Sequence, residues 1–155
     1  MYKIAALSTE DVRAYQAGAP DAYGTPPERA ISTGTGNPCR HCLCHIPEGL
    51  EMLILAHRPF LETHPYAETG PIFLCVEPCE RYQGDTELPE ILTSSPDYLI
   101  KGYGTDDRIV YGTGVVTPTD QINNAIQGIF ARPDVAYIHV RSAQNNCYQA
   151  RIDRA

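Results

Sequence analysis

Tryptophan is absent from this chain, and phenylalanine (3) and methionine (2) are scarce. Aromatic packing therefore falls mainly to ten tyrosines, whose hydroxyls want partners when buried. No stretch approaches the roughly 18 apolar residues of a membrane-spanning helix, so no membrane partner is expected. Basic residues are the minority: 12 Lys plus Arg against 19 Asp plus Glu, a formal charge of −7. An acidic surface repels phosphate backbones, so no nucleic-acid partner is expected either. There is no internal repeat, no low-complexity segment and no block of like charge long enough to form a tail. The first apolar run is too short for a signal-peptide core, and acids follow it at once. A cytoplasmic protein is the expectation, and there thiols stay reduced.

A length of 155 residues fits one domain over 1–155, large enough to bury a core without covalent staples. The six cysteines then read as metal-bound, redox-active or free rather than as a disulfide framework. Residues 18–38 carry Gly18, Pro20, Gly24, Pro26, Pro27, Gly34, Gly36 and Pro38, which predicts a long irregular N-terminal loop.

Strands are expected at 2–7 and 29–32, and then at 50–57, 72–76, 98–103, 108–116, 135–140 and 147–152, the last six in a mainly antiparallel sheet. Ser8 and Asp11 form a capping-box pattern for a short helix to about Ala17. Thr117 as N-cap and Pro118 as first helical residue predict one long amphipathic helix over 118–131. Its apolar face would be Ile122, Ala125, Ile126, Ile129 and Phe130. The expected class is α+β, with that helix packed on the sheet. Asn145-Asn146 marks the last turn.

Chemistry concentrates in Cys39-Arg40-His41-Cys42-Leu43-Cys44-His45. Thiolates and imidazoles are the soft ligands that zinc prefers. Cys39-x-x-Cys42 has knuckle spacing, and Cys75-x-x-x-Cys79 supplies a second pair, so these four are the candidate zinc ligands. Cys44, His45, His139 and Cys147 are alternates. Residue 43 is Leu, where a zinc knuckle often has Gly.

A thiol redox centre or Cys–His enzyme is the alternative. Arg40 and His41 beside Cys39 favour a thiolate, with His139 as base and Cys42 or Cys147 as resolving partner. A third reading is a non-catalytic module for a small anion, formed by Arg40, Tyr66, His139 and Arg141. His139 and Arg141 are two apart on a strand and share a face. Ile138 and Val140 would face the core, so His139 and Arg141 are expected to look outward. None of these readings specifies a substrate or a protein partner.

Three motifs, in order, resemble a family of small bacterial proteins catalogued only as a domain of unknown function. They are Pro38-Cys39-Arg40; Pro65-Tyr66 followed by Gly70-Pro71-Ile72-Phe73; and 137–143 with Cys147-Tyr148-Gln149-Ala150-Arg151 close behind. The resemblance covers Ile4 to Arg154. It implies an α+β domain inside the cell and draws attention to Cys39, Arg40, His139 and Cys147. Arg141 stands where the pattern has a second His, and Cys42 where a non-thiol is common. The loop carrying residues 39–45 is expected beside the sheet end that carries Cys147.

Overall fold

The computed structural model describes residues 1–84 and 86–155. Among the described residues, eight strands form two sheets, and every strand pairing is antiparallel. The strands are β1 (Tyr2–Ala5), β2 (Glu28–Ile31), β3 (Glu51–His57), β4 (Gly70–Cys75), β5 (Asp97–Tyr103), β6 (Val115–Pro118), β7 (Tyr137–Ser142) and β8 (Tyr148–Arg154). The larger sheet runs β1-β8-β7-β5-β6, and the smaller runs β2-β3-β4.

One face of the larger sheet is apolar. Ile4, Ile100, Ile138, Val140, Ala150 and Ile152 are buried there with Ile122, Ile126 and Ile129 of helix α2 (Ile122–Phe130). Burying each such side chain is worth about 1.5–3 kcal/mol, which fixes the register of β7 through its alternation. Gly102 permits the close approach. A Cβ there would meet Ile129 and Val135 at 3.1 Å.

The smaller sheet packs Leu53, Leu55, Ile72 and Leu74 with Val12 of helix α1 (Thr9–Gln16). Helix α1 starts as its sequence predicts. The Ser8 hydroxyl accepts from the Asp11 amide at 3.1 Å and donates to the Asp11 carboxylate at 2.7 Å.

The expected α+β architecture with one long amphipathic helix is not what forms. The chain is mostly β, and α2 has nine residues behind a short 3-10 turn, Thr119–Gln121. Sheet pairing competes for the residues that were to start the helix. Thr117 pairs with Tyr98 and Pro118 with Asp97, and the Thr117 hydroxyl is spent on Val115 O.

Two further expectations change. The predicted single sheet is two, because β3 pairs with β2 on one side and with β4 on the other. Residues 108–116 do not make one strand: Ile109 forms an isolated bridge to Tyr103, and Gly112 at φ 88° turns the chain before β6. Asn146 does take the left-handed turn conformation, at φ 57°. No helix among the described residues is long and apolar enough to cross a membrane.

Candidate metal centre

Residues 37–46 fold back on themselves. Ile46 N–H donates to Asn37 O at 2.9 Å, Cys39 N–H to Cys44 O at 3.0 Å, and Leu43 N–H to Cys39 O at 3.0 Å. Closing so tight a turn needs a left-handed residue after Cys42, and Leu43 takes that role at φ 55°. The conformation costs an L-residue roughly 1–2 kcal/mol. Leu43 is fully buried in the core under α2, a gain of about 1.5–3 kcal/mol that offsets the strain.

Strand β4 runs parallel beside this turn, with Arg40 N–H donating to Phe73 O at 3.2 Å. That alignment delivers Cys75, its last residue, to Cys39. The chain then turns through Glu77-Pro78 to Cys79. Helix α1 holds this second turn from outside: Gln16 donates to Cys75 O at 2.8 Å and Arg13 to Cys79 O at 3.2 Å.

The four sulfurs of Cys39, Cys42, Cys75 and Cys79 all lie within 4.8 Å of one another. Cys39 and Cys79 are 3.9 Å apart. Four thiolates about 2.3 Å from one tetrahedral ion sit about 3.8 Å apart, so the cluster could hold a single metal ion. Cys39 is buried and the other three are half-buried. The Cys75 amide donates to Cys39 Sγ at 3.4 Å. His41 Nδ1 lies 3.1 Å from Cys79 Sγ, and its Nε2 lies 2.9 Å from the Thr9 hydroxyl. Such contacts orient metal-bound thiolates and hold part of their charge.

The thiols divide their protons unevenly. Hydrogen bonds from Cys42, Cys75 and Cys79 hold the Cys39 thiol far below its ordinary value. The bond to Cys39 leads in pushing Cys42 and Cys75 far up, with Cys75 partly opposing the rise at Cys42. Four thiols this close cannot all ionise alone, because like charges disfavour each other. A cation removes that penalty.

Arg40 is a ready counter-charge. It is buried, donating through Nε to Tyr148 O at 2.7 Å and through Nη1 to Pro38 O at 2.6 Å. Among the described residues it pairs with no carboxylate. Burial pushes its guanidinium down to about 10, and Cys147 and Cys39 pull it back up.

Residues 36–154 match a family model described as a protein of unknown function, DUF1203. The chain belongs to the DUF1203 family. The matched region holds β3 through β8 and all four clustered cysteines. No curated protein and no solved structure matches the chain.

The other predicted residues disperse over the DUF1203 fold. Cys44 is exposed and outside the cluster, and His45 Nε2 meets Ser94 Oγ at 2.8 Å. Tyr66 bonds the Tyr111 hydroxyl at 2.8 Å and lies under the Arg108 guanidinium. Arg40 does reach the start of β8 through Tyr148. His139 bonds Arg141, not a cysteine, and Cys147 Sγ bonds Asn145 O at 3.8 Å, so the predicted pairing of His139 with Cys39 or Cys147 does not form among the described residues; the Cys–His contact that does form is His41 on Cys79.

His139 and Arg141 share a face of β7 as expected, but that face is covered. They are 0% and 3% exposed. Residues 58–69 cross over it as a strap, seating Phe60 5.2 Å from the His139 ring and pairing Glu68 with Lys101 at 2.9 Å and Arg141 at 3.4 Å. His57, Glu68, Lys101 and Tyr103 belong to this second polar region, and sequence reasoning missed all four. Three buried polar atoms there, His139 Nε2, Arg141 Nε and Tyr103 Oη, have no well-aligned hydrogen-bond partner among the described residues. Each such atom costs about 1–3 kcal/mol.

Proposed function

We propose that this chain is a zinc-binding protein whose Cys39, Cys42, Cys75 and Cys79 hold one Zn²⁺ as a structural centre. The observation that carries this reading is the mutual approach of four sulfurs within 4.8 Å. An all-thiolate set favours zinc or iron over harder ions. Four protein ligands leave no open coordination position, and a closed site is structural rather than catalytic. The ion would tie the 37–46 turn to the end of β4 and the turn at 75–79, which helix α1 braces through Gln16 and Arg13.

Elemental analysis of untagged, reduced protein tests this reading. About one equivalent of zinc is expected, falling below about a tenth in Cys75→Ser and unchanged in Cys44→Ser. Colour with bound iron would assign the site to iron instead. A metal-free protein in which Cys39 and Cys79 readily form a disulfide would replace the metal reading with a thiol redox one.

A further inference from the structure

The unpaired polar atoms beneath the strap share one sign. Arginine only donates, so Arg141 Nη2 at 3.2 Å makes His139 Nδ1 the acceptor. The remaining imidazole proton then sits on Nε2. Among the described residues, His139 Nε2–H, Arg141 Nε–H and Tyr103 Oη–H are therefore three buried donors without a well-aligned acceptor, the Tyr103 oxygen itself standing within reach of the Arg141 guanidinium. Four aromatic rings surround His139: Tyr103 at 4.6 Å, Tyr148 at 5.0 Å, Phe60 at 5.2 Å and Tyr137 at 5.3 Å.

Arg141, whose Nη1 also donates to Asn146 O at 3.1 Å, lines a cavity of about 200 Å³ together with Glu68, Asn146, Pro59, Pro71 and Tyr148. The charges beside it do not cancel. Lys101 and Arg141 share a single carboxylate, Glu68, which leaves one positive charge over. The Arg141 side chain is 4% exposed while that of Glu68 is 34% exposed. Glu68, which also accepts from Asn146 Nδ2 at 2.8 Å, borders solvent, and Arg141 does not. The cavity is smaller than the roughly 300–1,000 Å³ of sites for drug-sized ligands, so its occupant has only a few heavy atoms.

We propose that this cavity binds a short-chain monocarboxylate, its carboxylate on Arg141 and its alkyl end against Pro59, Pro71 and Tyr148, with Glu68 as the internal competitor. A guanidinium fork matches a carboxylate's geometry. One uncompensated positive charge selects a monoanion, and a phosphate dianion would place surplus charge beside Glu68. This inference does not depend on the cysteine centre.

Sodium propionate is the probe, titrated into the full-length protein at constant ionic strength and followed by amide chemical shifts. Saturable shifts centred on Arg141 and Asn146 are expected. Glu68→Gln should tighten binding by about fivefold or more, because it removes the competitor, and Arg141→Lys should weaken it by about tenfold. Should Arg141→Lys fail to fold, Glu68→Gln decides. The proposal is overturned if neither wild type nor Glu68→Gln shows saturable shifts, or if phosphate or propionamide binds as tightly as propionate. Zinc content measured on the same samples separates a failure here from one at the cysteines.

Discussion

The two polar regions of this molecule have opposite deficits. The cysteine centre is rich in groups that become anions and needs a cation before all four can ionise together. The face beneath the strap is rich in donors and cations and needs an acceptor. Both are buried or nearly so, and burial makes each deficit expensive. They also differ in how they are built. The centre draws on two short sequence pairs, 39/42 and 75/79, while the strap face collects residues from β3, β5, β7, β8 and the 58–69 connection.

Removing the cation should have the largest effect. Chelation of the reduced protein is expected to cost several kcal/mol and lower Tm by roughly 10–20 °C in thermal unfolding. A change within about 2 °C would mean that the centre is not the clamp described.

Acid attacks the strap face next. Burial, aided by Arg40 and Arg141 against an opposing Asp11, holds His57 down to about 4. His139 is held well below its ordinary value by burial and Arg141. Unfolded histidine titrates near 6.5, so between that pH and about 4 the unfolded chain takes up protons that the native state refuses. Stability from this source is complete above pH 6.5 and declines as pH falls, by roughly 3 kcal/mol for His57. Denaturant unfolding from pH 7.5 to 4, with zinc release followed alongside, checks it. His57→Gln should flatten the slope at constant zinc content, and an unchanged slope would assign the acid sensitivity to metal loss.

The smallest effect is the sharpest. The Tyr103 hydroxyl has no well-aligned partner among the described residues, with only the Arg141 guanidinium beside its oxygen, so Tyr103→Phe should change stability by less than about 1 kcal/mol. A loss beyond about 1 kcal/mol in chemical denaturation would show that the hydroxyl is satisfied and the donor excess smaller than described.

Sequence carried the cysteine centre well and the strap face badly, for physical reasons. Metal-ligand spacing is local, so Cys39-x-x-Cys42 and Cys75-x-x-x-Cys79 announce themselves, as does the Ser8 cap. Leu43 in place of Gly argued against the knuckle, yet core burial lets Leu43 hold the left-handed turn. Alternation along β7 put His139 and Arg141 on one face and Ile138 and Val140 on the other. It could not show what covers the first face, because 58–69 has no periodic pattern. The long helix failed at Thr117-Pro118, where a local capping signal met a pairing partner, β5, that only the folded sheet supplies.

X-ray absorption at the zinc edge of the purified, untagged protein tests the central claim most directly. One shell of four sulfurs at about 2.3 Å, with no nitrogen or oxygen ligand, is the predicted result. Absence of zinc, or a shell containing imidazole or water, would contradict it.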